Sequence, residues 1–190
     1  MAGKRLVIGI SGASGAVYGI RLLEWFRQNR GAGVETHLVL TPSAEKTISL
    51  ETGRAAADIA KLADVAHDYR NLAASISSGT FVTMGMAVIP CSMRTLSDIA
   101  LSRGENLLVR AADVTLKEAR KLVIVPRETP LHKGHLELML KAADIGAVIL
   151  PPMPAFYTKP QTLDDIVNHT VGKVLDQFGV EHEMYKRWGE

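Results

Sequence analysis

Short apolar runs alternate along most of the chain with longer stretches that place an apolar residue every third or fourth position. Leu6 to Ile10 is a compact apolar run that predicts a buried strand, and Val17 to Phe26 puts Leu22, Leu23 and Phe26 on one helical face. Val34 to Leu40 predicts a second strand, which stops at Thr41-Pro42-Ser43, where Pro42 suits the first turn of a helix running towards Leu50. A short helix is expected over Ala55 to Leu62, a polar loop over Ser75 to Gly79, and a strand over Met86 to Ile89 that ends at Pro90-Cys91-Ser92. Helices are expected over Met93 to Ala100, Leu107 to Ala119 and His135 to Ile145, with further strands at Leu122 to Val125 and Ala147 to Leu150. Thr162 to Phe178 reads as a long amphipathic helix, and the tail from about residue 180 to Glu190 is polar with two aromatics. The alternation predicts an α/β fold, a parallel sheet with helices on both faces in a three-layer α/β/α arrangement. A single domain over residues 1–190 is expected, with no internal repeat.

That architecture makes the position of the polar segments informative. Ser11 to Gly15, Thr41 to Ser43, Pro90 to Thr95, Arg127-Glu128 and Pro151 to Tyr157 each follow the carboxyl end of a predicted strand. In open α/β sheets the ligand crevice lies outside those strand ends, so the five segments are expected in one place.

The first of them, GISGASGAVYG, looks like a nucleotide-binding glycine loop. A dinucleotide fingerprint needs glycines at i, i+2 and i+5, whereas Gly9, Gly12 and Gly15 sit at i, i+3 and i+6. The acid that such a site uses on the ribose is also missing, since Thr41 stands at the far end of the second strand. No Gly-Lys-Ser/Thr follows, which excludes a P-loop. What remains is a hydroxyl-bearing small-residue loop opening onto a helix N-terminus, which suits a mononucleotide such as FMN or, more plainly, close strand–helix packing.

Composition narrows the function classes. With 47% hydrophobic residues in 190 the chain can bury a substantial core, and a formal charge of +2 with interspersed signs offers no basic stripe for nucleic acid. No apolar stretch is long enough to span a bilayer and no signal sequence is evident, so a cytoplasmic protein is expected. Cys91 is the only cysteine, which precludes an internal disulfide; as a lone thiol with no evident histidine partner it reads as inert rather than nucleophilic.

Several other residues invite chemistry. Ser92 and Thr95 follow a strand and open a helix, where they suit both capping and ligand binding. Arg110, Asp113, Lys117 and Arg120 fall near one helical face and read equally as a solvated, salt-bridged surface. Arg127 suits bidentate phosphate binding, and Glu128 beside it suits proton donation to a departing phosphate. His132 and His135 form an H-x-x-H pair with no third ligand evident, so no metal site is expected. Phe156 and Tyr157, in a proline-rigid loop, suit an apolar group carried on phosphate.

Taken in order, GISGASGAVYG, PCSMRTL, RAADVTLKEARKLV, VPRETPLHKGHLELM and PPMPAFYTKP resemble the flavin prenyltransferases of the UbiX family, including the partner subunits of aromatic-acid decarboxylases, across essentially the whole chain. The resemblance implies a Rossmann-like flavoprotein fold, commonly a homododecamer. It also implies alkylation of reduced FMN by dimethylallyl phosphate, giving the prenylated flavin used by a separate UbiD-type decarboxylase, without a metal. By the same resemblance Gly12, Ala13, Ser14, Thr41, Ser92, Met93, Arg94, Thr95 and Arg127 hold the flavin. Arg110, Lys117, Tyr157, Lys173 and Trp188 meet the prenyl phosphate, and Ser14, Glu51 and Glu128 handle protons. Thr41 stands where relatives usually have serine and Lys173 where they often have arginine, while LKEAR replaces the usual LKERR, so Ala119 removes one guanidinium. Two other readings stay open at this stage: an FMN-dependent decarboxylase acting on a thiol-bearing substrate, and a non-catalytic flavin carrier of a decarboxylase complex.

Overall fold

The computed structural model describes residues 4–189. Six parallel strands form one sheet in the order β3-β2-β1-β4-β5-β6. The strands are β1 (Lys4–Ile10), β2 (Val34–Leu40), β3 (Val65–His67), β4 (Gly85–Cys91), β5 (Lys121–Pro126) and β6 (Ala147–Ile149). The helices are α1 (Ala16–Gln28), α2 (Pro42–Thr52), α3 (Ala56–Ala60), α4 (Met93–Ala100), α5 (Leu107–Lys117), α6 (Lys133–Asp144) and α7 (Leu163–Gln177).

Both faces of the sheet are covered, which is why its central strands read as continuous apolar runs; every residue of β4 is buried. One face packs Leu6, Ile8 and Ile10 against Leu22, Leu23 and Phe26 of α1 and Val171, Val174 and Leu175 of α7. The other packs Val7, Met86 and Val88 against Leu96 and Ile99 of α4 and Leu107 and Leu108 of α5. Each of these large side chains contributes about 1.5–3 kcal/mol by leaving water. Gly19 sets the distance between α1 and the sheet, because a Cβ there would stand 2.3 Å from the Ile89 carbonyl.

The pattern-based strands and helices recur with shifted ends, and one strand lies outside the pattern. β3 is three residues long, lies at the sheet edge and is flanked by Asp64 and Asp68, so it carries no apolar run to read. α5 stops at Lys117, two residues short of the expected Ala119, which takes the left-handed region at φ 52°. The expected helical face Arg110-Asp113-Lys117-Arg120 therefore breaks before Arg120, whose guanidinium instead donates to the carbonyls of Gly79 and Phe81.

Candidate functional site

The strand order reverses beside β1, whose neighbours are β2 on one side and β4 on the other. A crevice opens at such a switch point, because the connections leave in opposite directions. Ser11 holds its floor. The buried Ser11 hydroxyl donates to the Pro90 carbonyl at 3.1 Å and accepts from the Ser92 N–H at 2.7 Å, joining the ends of β1 and β4.

Three helices start at this rim. Thr41 caps α2, its hydroxyl accepting from the Ala44 N–H at 3.1 Å, with Pro42 in the first turn. Ser92 caps α4, accepting from the Thr95 N–H at 3.3 Å and donating to the Thr95 hydroxyl at 3.1 Å. Gly15 opens α1 in the left-handed region at φ 98°, and the Glu51 carboxylate accepts from the N–H groups of Gly15 and Ala16 at 2.9–3.1 Å. Free N–H groups and aligned peptide dipoles make such a rim electropositive, and Glu51 answers it at one of the three starts.

Between α2 and α4 lies a cleft of about 440 Å³ lined by Gly12, Thr41, Ser43, Tyr69, Ser92, Arg94, Thr95, Asp98 and Asn106 among others. Gly12 is required where it stands, since a Cβ would meet that of Ser43 at 2.3 Å. Five residues expected at a flavin thus share one cleft. Ala13 and Met93 belong to the same two loops and are themselves buried. Tyr69, Asp98 and Asn106 join them without having been singled out in the sequence; Tyr69 follows β3, the strand that the apolar pattern did not show.

A second pocket, of about 510 Å³, is lined by Ser14 and Gly15 of the loop that gives Gly12 to the first. Val17, Tyr18, Pro152, Leu163, Ile166 and Val167 supply apolar wall, with Arg127 and Asp164 as its charged residues. Arg127 is placed by the end of β5. Its N–H donates to the Cys91 carbonyl at 3.0 Å and its Nε to the Ser14 carbonyl at 3.0 Å. Burial raises the Tyr18 phenol above its ordinary pKa, and the charge of Arg127 opposes that shift. An apolar wall with a guanidinium suits an apolar group carried on phosphate. Glu128 is exposed next to Arg127, its carboxylate accepting from the Thr129 N–H at 3.0 Å.

The remaining expected residues stand elsewhere in the same chain. Tyr157, Lys173 and Trp188 are not among the residues lining this pocket; they gather along the later turns of α7. There Tyr157 and Trp188 meet edge to face with ring centroids 5.4 Å apart, and the Tyr157 hydroxyl is 3.4 Å from His169 Nε2. Arg110 is held by the Ser77 carbonyl and Asp113. Lys117 pairs with Glu118 at the end of α5, beside Gly79. Because α5 runs back along the sheet, Lys117 lies towards the amino end of β5 and away from its own chain's crevice.

Cys91 is fully buried, and burial pushes its thiol well above the ordinary range, as an inert thiol requires. The rings of His132 and His135 meet at the start of α6 with centroids 3.5 Å apart, tilted by 30°. Among the described residues no group of three or more His, Cys, Asp or Glu side chains is placed to hold a metal ion, and no helix is long and apolar enough to cross a membrane.

The flavoprotein family model matches residues 1–175. Over 187 residues the chain is 57% identical to the flavin prenyltransferase UbiX of Escherichia coli strain K12, covering 97% of this chain and 98% of that protein. The chain belongs to the UbiX flavin prenyltransferase family. Among solved UbiX structures, a dodecameric FMN-dependent UbiX-like decarboxylase from Escherichia coli O157:H7 superposes with a TM-score of 0.94 at 53% identity, covering 98% of this chain and 100% of that one. AnUbiX (PadA1), solved in complex with FMN and dimethylallyl pyrophosphate, also gives a TM-score of 0.94, at 44% identity over 98% of both chains. The present cleft fits the flavin of such a protein. Thr41, Ser92 and Thr95 offer hydroxyls, the helix starts offer an electropositive rim, and Arg94 offers a guanidinium for a phosphate, while Arg127 lines the second pocket.

Proposed function

We propose that this protein is a flavin prenyltransferase that joins the dimethylallyl group of dimethylallyl phosphate to N5 and C6 of reduced FMN, and that a UbiD-type decarboxylase receives the prenylated FMN. One observation carries the reading. The loop after β1 lines both the switch-point cleft suited to a flavin, through Gly12, and the apolar, Arg127-bearing pocket suited to a prenyl phosphate, through Ser14 and Gly15.

When bound, reduced flavin supplies the electron-rich ring that is alkylated. The chain's own residues hold, orient and move protons. Arg127, fixed through its Nε to the Ser14 carbonyl, keeps its Nη atoms for phosphate oxygens, so the charge that develops on the leaving phosphate meets a preset donor. Glu128 donates a proton to that phosphate. Ser14 relays the proton lost from C6 to the Glu51 carboxylate, which is anchored one residue away on the N–H of Gly15. Val17, Ile166 and Val167 exclude water from the allylic carbons.

Arg110, Lys117, Tyr157, Lys173 and Trp188 complete the substrate end in this reading, and their spread over one chain calls for neighbouring copies to bring them together. A homododecamer supplies such neighbours, as in the related Escherichia coli structure. Exposed Leu50, Leu136, Leu140, Met153, Phe156 and Leu163 give the chain apolar surface to bury between copies. A cytoplasmic setting suits the unpaired Cys91. The reading is tested by the mass of the flavin released after anaerobic turnover with dimethylallyl phosphate.

A further inference from the structure

The last turn of α7 carries a carboxylate around which the tail is folded. Asp176, its side chain 19% exposed, accepts from Arg187 at 2.9 Å and His182 at 3.2 Å through Oδ1, and from the Tyr185 hydroxyl through Oδ2. Lys173, one turn earlier on the same helix, reaches Oδ2 at 3.5 Å. Three tail residues and one helix residue therefore converge on a single acid. Gly172 makes the approach possible, because a Cβ there would stand 2.5 Å from the Tyr185 ring. The Tyr185 ring packs against His169 with centroids 4.7 Å apart, and His169 also faces Tyr157. Three residues beyond Tyr185, Trp188 meets the Tyr157 ring although 82% of Trp188 stays exposed.

We infer that Asp176 is a positioning residue for the prenyl-phosphate end of the site: it clamps the tail so that Trp188 is presented with Tyr157, and it restrains Lys173 beside them. The inference rests on the prenyltransferase reading for the role of Trp188, Tyr157 and Lys173, whereas the clamp itself rests on geometry alone. Its logic is the general one that a side chain used in binding must be held by neighbours whose own hydrogen bonds are satisfied. The clamp keeps its charge at working pH, since the hydroxyl of Tyr185 and the guanidinium of Arg187 hold the Asp176 carboxyl at about 2 against the cost of its burial. Asparagine at this position keeps one accepting oxygen but replaces the other with an amide N–H₂ and removes the negative charge, so the fourfold convergence cannot be held, without a change of size.

The test uses the assembled protein in a Trp25→Phe background, in which Trp188 is the remaining tryptophan. For Asp176→Asn the steady-state anisotropy of Trp188 emission is expected to fall clearly. The KM for dimethylallyl phosphate is expected to rise about tenfold or more, with kcat within about threefold and the FMN dissociation constant within about twofold. Gly172→Ala, which displaces Tyr185 but keeps the carboxylate, is expected to reproduce both changes. An unchanged anisotropy, an unchanged KM, an equal loss of FMN affinity or a silent Gly172→Ala would each overturn the inference. Failure of the parent protein to consume dimethylallyl phosphate would remove the functional reading instead, and the anisotropy comparison would then decide the clamp by itself.

Discussion

Arg127 at the end of β5 donates through Nε to the carbonyl of Ser14 in the loop after β1, 3.0 Å away. This bond crosses the strand β4 between them and fixes the guanidinium by its inner edge, leaving the outer edge to a ligand. Arg127→Lys keeps the charge but cannot hold both the carbonyl and a phosphate fork. We expect kcat/KM for dimethylallyl phosphate to fall on the order of 100-fold, about 3 kcal/mol, and FMN affinity to fall much less. Steady-state kinetics beside an FMN fluorescence titration checks both numbers.

Glu128 is exposed and bonded to the adjacent Thr129 N–H, so its replacement leaves the scaffold intact. Glu128→Gln is expected to bind FMN normally and to slow prenyl transfer by roughly 100- to 10,000-fold in a single-turnover assay. Unchanged turnover would take Glu128 out of the acid role.

Gly12 and Gly31 make a matched pair. A Cβ at Gly12 meets Ser43 at 2.3 Å, whereas one at Gly31 meets nothing within 4 Å. Gly12→Ala is expected to push the glycine loop from α2 and weaken FMN binding about tenfold or more. Gly31→Ala is expected to leave FMN binding unchanged and stability within about 0.5 kcal/mol. Titration and thermal unfolding of both variants separate the site from the scaffold.

His37 on β2 lies with Nδ1 2.9 Å from Nε2 of His67 on the edge strand β3 and with Nε2 3.1 Å from Glu35. Burial lowers the pKa of both histidines. A histidine lowered on folding takes up its proton in the unfolded chain first, so stability is full above the ordinary value of about 6.5 and falls as pH drops below it. The melting temperature is expected to decrease from pH 7.5 to 5.5 at fixed protein concentration, and His67→Gln is expected to reduce that decrease. A pH-independent difference between the two proteins would contradict the assignment.

The sheet was legible because β1, β2, β4 and β5 are buried on both faces and must be written as apolar runs. The crevice followed, since hydroxyl and glycine residues stand where those runs stop. β3 was not legible: three residues at an edge need no apolar run, and Tyr69 behind it was lost with it. The expected helix over Leu107 to Ala119 already put Lys117 near its far end, but helical spacing did not show which edge of the sheet that end meets. The Asp176 clamp joins positions nine and eleven residues apart through a folded-back tail, which leaves no periodic trace.

The most direct measurement is anaerobic incubation of the protein with reduced FMN and dimethylallyl phosphate, followed by mass spectrometry of the released flavin. The expected product is a flavin heavier by one five-carbon prenyl unit. Recovery of unmodified FMN from folded, FMN-bound protein would contradict it and would put flavin carriage or decarboxylation in its place.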